Sequence, residues 1–198
     1  MISLAEKKPK LTTSVVVIFI ANEENGSFPG IGVDQLGKEG YMDSLKHGPV
    51  FWIDAADSQP CIGTAGTIQW SLQAEGKLFH SGLPHKGMNA IEFAMDAVNY
   101  IQSHFYTDFP FHPEEKRYNY VTQSTFKPTQ VSCSSGSLNQ LPPDCTMQGD
   151  ARITPFYHVK DVMKRVEEYV AAINADPSIV ESPQFHGPHS KYNLPDEV

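Results

Sequence analysis

Glu23 and Glu24 stand side by side where a run of β-branched residues, Thr12 to Ala21, gives out. Successive side chains of an extended chain point to opposite sides, so two adjacent carboxylates can divide two tasks. One can grip a divalent metal while the other reaches a water on that metal. The same pair reads equally well as solvated surface, where most charged side chains lie. A second apolar run, Pro49 to Ile53, stops at Asp54, a further candidate oxygen ligand, with Asp57 as an acidic neighbour. His80 lies in the glycine-rich stretch Gly76-Lys-Leu-Phe-His-Ser-Gly-Leu-Pro-His-Lys-Gly. A loop imidazole there can offer an N–H to an oxyanion, or simply be exposed. Asn139 and Arg152, thirteen residues apart on what read as adjacent strands, offer an amide and a guanidinium to a substrate carboxylate. Arginine holds carboxylates in bidentate fashion, but a structural salt bridge would use it as well. The other histidines show no HExxH spacing, and none is assigned to metal.

The elements that must position these groups follow from periodicity. Thr12 to Ala21 is continuous and β-branched, which predicts a strand covered on both faces of a mostly parallel sheet, as does Pro49 to Ile53. Both would end in carboxylates, and sites in open α/β sheets gather at the carboxyl ends of strands. Residues 26–40 read as loop or short helix. From about Gly66 the pattern changes. Thr67 to Ala74 alternates like a half-buried strand, and Ile91, Met95, Val98, Ile101, Gln102 and Phe105 mark a helix over about 89–105. The stretch from Pro110 to Arg117 reads as a loop. Strands are predicted over about 126–132 and 145–153, and a second amphipathic helix from Val159 to Ile173. Strand, helix, strand, strand, helix is the split βαβ order, which needs one more edge strand, expected near Ser178 to Ser182. The tail from Phe185 to Val198 has no period and reads as connecting coil, with a closing element expected after it.

Composition sets the broad class. The hydrophobic fraction of 40% and aromatic fraction of 11% are those of a globular chain. The net charge is −8, and the basic residues are scattered, a surface that repels phosphate backbones and anionic lipid. No nucleic-acid or membrane partner is expected. The longest apolar run is far shorter than the roughly 20 residues needed to cross a bilayer. The opening residues lack the apolar core of a secretory signal, and Cys61, Cys133 and Cys145 have no metal-ligand spacing. A cytoplasmic location is expected.

Taken together and in order, several features resemble the acetylornithine deacetylase, succinyl-diaminopimelate desuccinylase and aminoacylase family. They are Ala21-Asn-Glu-Glu at a strand end, Asp54 six residues before Pro60, and Gly76-Lys-x-x-His80 followed by Pro84-x-x-Gly87-x-Asn89-Ala90. Asn139 thirteen residues before Arg152 completes the set. The likeness extends over nearly the whole chain and is greatest to the plant-type acetylornithine deacetylases of that family. It implies an α/β fold in which residues 1–65 are part of a zinc-peptidase-like catalytic domain. Residues 66–182 would be an inserted α+β ferredoxin-like lid that serves dimerisation, and residues 183–198 would return to the catalytic domain. It implies two zinc ions per complete site, with cobalt as an alternative, and removal of the acetyl group from N-acetyl-L-ornithine in arginine biosynthesis. By position, Glu23 would be the general base, Glu24 would bind one zinc and Asp54 the other. His80, from the partner subunit, would stabilise the oxyanion, while Asn139 and Arg152 would hold the substrate carboxylate. The family's His-x-Asp segment and a C-terminal histidine ligand have no counterpart here, so this chain alone is expected to be inactive. Two other readings stay open: a non-catalytic lid module that dimerises, and a related aminoacylase or dipeptidase.

Overall fold

The structure is a computed structural model that describes residues 2–23, 28–53 and 65–186. The chain divides into two compact units, Met1–Ser58 and Gln59–Val198.

Among the described residues the first unit holds two short α-helices, α1 (Ile2–Lys7) and α2 (Val33–Lys38), a 3-10 turn (Asp43–Leu45) and no strand. This corrects the expectation of buried strands at Thr12 to Ala21 and Pro49 to Ile53. Both runs are extended coil, with Phe19 at 88% and Ile53 at 95% exposure. A strand of a parallel sheet depends on neighbours for its backbone hydrogen bonds and on helices to cover both faces. The described residues of this unit provide neither. Asn22 has a left-handed backbone (φ 60°), and its side-chain amide donates to the Phe28 carbonyl at 2.9 Å, which turns the chain as it reaches Glu23.

The second unit is a two-layer α+β domain. Its strands are β1 (Gly66–Glu75), β2 (Thr125–Cys133) and β3 (Asp144–Ile153), ordered β1-β3-β2 and antiparallel throughout. Helices α3 (Ala90–Asp108) and α5 (Val159–Ala175) pack against one another, and α3 lies against all three strands. The short helices α4 (Pro113–Arg117) and α6 (Pro183–His186) complete it. Alternation decides which face of the sheet is covered: Ile68, Trp70, Leu72 and Ala74 turn inward from β1, facing Ala151, Gly149, Met147 and Cys145 of β3. Gly149 is needed opposite Trp70. A Cβ there would come within 2.6 Å of the indole and 1.9 Å of the Lys127 carbonyl oxygen, whereas its absence lets Trp70 stack on Phe126 at 4.5 Å. Pro128 in β2 sits at a register shift on an edge strand, where a missing N–H is tolerated.

The lid strands and helices agree with expectation, but three details do not. First, α3 buries Ala90, Ala94 and Ala97 along with Val98, Ile101 and Phe105, while Met95 is 52% exposed. Counting only bulky residues misses the alanines that let the helix approach the sheet. Second, residues 113–117 are a helix rather than a loop. His112 caps it by accepting from Glu114 N, with Pro113 in its first turn and Glu115 returning to the His112 N–H. Third, no strand forms at Ser178 to Ser182. Asp176 accepts from Ser178 N, Pro177 opens a 3-10 turn (Pro177–Ile179), and Val180 and Ser182 are buried as coil. The described lid is therefore the ferredoxin-like arrangement without its fourth strand. Cys133 and Cys145 face one another across β2 and β3 as free thiols, and burial raises the pKa of Cys145. Among the described residues no helix is long and apolar enough to cross a membrane.

Candidate functional site

His80 is placed by backbone pairing beyond the end of β1. Gly76 N–H donates to the Pro143 carbonyl at 2.7 Å, and Lys77 and Met88 exchange backbone hydrogen bonds of 2.8 and 3.0 Å. A Cβ on Gly76 would lie 2.5 Å from the Met88 carbonyl oxygen, so only glycine lets these segments close. Asn89 then caps α3, its side chain accepting from Ile91 N and Glu92 N, while its own N–H donates to Gln184 Oε1.

Further along, Leu141 N–H donates to the Phe79 carbonyl at 2.8 Å and Ser81 N–H to the Asn139 carbonyl at 2.9 Å, with His80 and Gln140 bridged between them. This short antiparallel extension sets two residues 59 positions apart side by side. Asn139 Nδ2 lies 3.4 Å from His80 Nε2, and both side chains are exposed. His80 Nδ1 accepts from Gly82 N–H at 3.0 Å, and Leu83 N–H closes the turn onto the His80 carbonyl at 2.9 Å. The pair can offer a polar, hydrogen-bonding surface to an anionic or carbonyl oxygen.

Arg152 lies elsewhere. It sits near the far end of β3, its side chain 59% exposed, with Nε bonded to Asp150 Oδ2 at 2.7 Å. The eight residue rises from Asp144 to Arg152 span roughly 26 Å of strand, and Asn139 lies beyond Asp144. Asn139 is in a turn rather than on a strand adjacent to Arg152. One chain therefore does not bring Asn139 and Arg152 to a common ligand; it brings Asn139 to His80.

Glu23 is exposed at the end of the extended run. Glu24 and Asp54, the expected metal ligands, fall outside the described residues. Among the described residues no group of three or more His, Cys, Asp or Glu side chains could hold a metal ion. The described part of the chain thus does not by itself fit a metal centre.

Sequence reading missed a buried polar network near Arg152. Glu115, fully buried, accepts from His112 N–H at 2.7 Å and from the Thr154 hydroxyl at 2.5 Å. Ser124 Oγ accepts from Thr154 N–H at 3.1 Å and lies 3.3 Å from Thr154 Oγ1. Since the Thr154 proton goes to Glu115, the Ser124 hydroxyl must donate to Thr154. The signal available was Pro113 followed two residues later by Glu115, a helix start that calls for a returning carboxylate.

The three-stranded antiparallel sheet covered by two helices is an α+β domain, and comparison with known proteins gives its family. The chain belongs to the peptidase dimerisation domain family, which matches residues 62–177. It is 53% identical over its full length to an acetylornithine deacetylase of Arabidopsis thaliana, and 45% identical over 98% of its length to one of Dictyostelium discoideum. The chain spans 44% and 43% of the length of these two relatives. Among solved structures, a putative aminohydrolase from methicillin resistant Staphylococcus aureus is 16% identical with a TM-score of 0.46, covering 59% of this chain and 28% of that one.

Proposed function

We propose that this chain is part of a metal-dependent amide hydrolase that converts N-acetyl-L-ornithine and water to acetate and ornithine, acting as a cytoplasmic homodimer joined through the lid. The observation that carries the reading is the exposed His80–Asn139 pair, held by backbone pairing in a chain 53% identical throughout to an acetylornithine deacetylase. Residues 1–65 and 183–198 would belong to the catalytic domain and 66–182 to the lid. Glu23 would take a proton from the attacking water, His80 would donate to the oxyanion of the tetrahedral intermediate, and Asn139 and Arg152 would hold the substrate carboxylate. With roughly 26 Å of strand between the last two, a single substrate can meet both only if they come from different subunits. His80 and Asn139 would then act together across the dimer, and Arg152 from the other copy.

Glu24 and Asp54 are carboxylates suited to a divalent ion, for which zinc is the proposal. A catalytic zinc normally takes three protein ligands, so these two do not complete a site. The 198-residue polypeptide alone is accordingly expected to release no ornithine. A second reading, a dimerisation module without chemistry, is favoured by the described strands all lying in the lid.

A chimera separates the two readings: residues 1–198 replace the matching segment of the Arabidopsis thaliana relative, and ornithine release is assayed. Activity that disappears with Glu23→Gln is the expected result. A folded, dimeric chimera without activity would refute the enzymatic reading.

A further inference from the structure

Five of the described histidines divide according to which ring nitrogen meets a backbone group. His104 Nδ1 lies 2.9 Å from the Tyr100 carbonyl oxygen, and His186 Nε2 lies 2.8 Å from that of Ser178. A carbonyl only accepts, so those nitrogens carry hydrogen. The reverse holds at three others. His112 Nδ1 accepts from Glu114 N–H at 3.2 Å, His158 Nδ1 from Lys160 N–H at 3.3 Å, and His80 Nδ1 from Gly82 N–H at 3.0 Å. A backbone N–H only donates, so Nδ1 is bare in these rings and, when the ring is neutral, the hydrogen sits on Nε2. At His112 and His158 the bond caps α4 and α5. His80 caps no α-helix; it opens a four-residue turn and is exposed.

We infer that Gly82 is a positioning residue for His80: its backbone N–H fixes the imidazole as the Nε2–H tautomer, and its missing side chain leaves the ring room to be held. The inference rests on the proposed role of His80 as oxyanion donor. The two halves have separate support. The 3.0 Å bond sets the tautomer. The space is set by contact, because a Cβ on Gly82 would stand 3.1 Å from His80 Nδ1 and 3.3 Å from Cε1, close enough that the ring must shift by a few tenths of an ångström and lengthen its bond to the Gly82 N–H.

Asn139 follows from the same logic. Its Nδ2 lies 3.4 Å from His80 Nε2, yet two N–H groups cannot bond to one another. An amide turned by half a revolution exchanges its oxygen and nitrogen in place, so Asn139 meets Nε2–H through Oδ1. Asn139 is then the resting acceptor of a hydrogen that an oxyanion would claim. In the other tautomer Nε2 would present a lone pair to the oxyanion and repel it, so the choice of tautomer decides whether His80 can stabilise charge at all.

The test is the 15N spectrum of the full 198-residue chain with labelled histidine, at a pH where imidazoles are neutral. His80 is identified as the pair of resonances lost in His80→Gln. His104 provides the opposite tautomer, and His112 and His158 the same one, as references within the molecule. The expected result is an Nε2–H pattern at His80 that persists in Asn139→Ala, while in Gly82→Ala the two resonances move toward one another as the Nδ1–H form becomes populated. An Nδ1–H pattern in the unsubstituted chain would overturn the inference without any variant. So would a Gly82→Ala spectrum matching the unsubstituted one, or loss of the pattern in Asn139→Ala. In the active chimera, Gly82→Ala should lower kcat at unchanged KM, by less than His80→Ala. Unchanged kcat in His80→Ala, with the tautomer pattern as expected, would remove the oxyanion role of His80 and leave the tautomer assignment standing.

Discussion

Replacing Glu115 tests whether the buried network near Arg152 holds the lid together. The carboxylate receives His112 N–H and the Thr154 hydroxyl at 2.7 and 2.5 Å with no exposed surface, and Thr154 in turn receives the Ser124 hydroxyl. Hydrogen bonds to a charged group are worth about 1.5–3 kcal/mol each, and a buried donor left without an acceptor costs about 1–3 kcal/mol. Glu115→Ala removes both bonds and strands the His112 N–H, the Thr154 hydroxyl having only Ser124 to turn to, and should cost about 3–5 kcal/mol, a large share of the roughly 5–15 kcal/mol stability of a domain. Glu115→Gln should be milder, because its Oε1 can still accept from His112 N–H. Its amide can donate to Thr154 Oγ1 while the Thr154 hydroxyl turns to Ser124. Only the charge assistance is lost, a cost of about 1–2 kcal/mol. Urea titration followed by circular dichroism reads both. An alanine variant within about 1 kcal/mol of the unsubstituted chain, or a glutamine variant as unstable as the alanine one, would show that the network does not work as described.

Three other outcomes test the charge cluster at Asp108 and the proposed site residues. The Tyr169 hydroxyl and the Arg165 guanidinium hold the Asp108 carboxyl below the usual carboxylate range, so its contribution to stability is present above about pH 4 and lost as pH falls through its folded value. The melting-temperature gap between the unsubstituted chain and Asp108→Asn should therefore close on the acid side, and a gap constant with pH would contradict this. In the active chimera, Glu23→Gln should lose turnover with metal content unchanged and Glu24→Ala should lose metal too, read by elemental analysis; equal metal loss would overturn that division. His80→Ala should lower kcat by about 10²–10³. Mixing it with Glu23→Gln subunits should recover part of the activity, and no recovery in verified mixed dimers would exclude action across subunits.

How legible the fold was depends on where each segment finds its partners. Within 66–175 the period-2 and period-3.6 patterns sufficed for the three strands and two long helices, though not for α4, because β1, β2 and β3 pair with one another and α3 and α5 share one core with them. The run Thr12 to Ala21 has as strong a strand signal as any of these, yet Val15 and Val16 are exposed coil. Hydrophobic pattern states a capacity for burial, and the capacity is realised only where neighbouring strands supply hydrogen bonds. At Ser178 to Ser182 the failure is local instead. Pro177 and the Asp176 side chain start a turn, and Val180 satisfies its apolar character by packing as coil under the helices.

The candidate site shows a different limit. The thirteen-position spacing of Asn139 and Arg152 suggested that the two share a ligand, but spacing along a chain does not say on which side of a strand end a residue falls. Asn139 precedes β3 and Arg152 nearly ends it, so the whole strand separates them. The close approach of residues 76–81 to 139–143 is what decides Asn139's real neighbour, and its sequence trace is the pair of glycines that leave room. A Cβ on Gly76 would strike the Met88 carbonyl, and one on Gly87 would come within 2.8 Å of the Leu141 side chain as well as of the Lys77 carbonyl oxygen and the Phe79 side chain. Replacing either with alanine should therefore disturb His80 from a distance, even though neither touches it. That makes the glycines of this stretch as informative about the site as the histidine they surround.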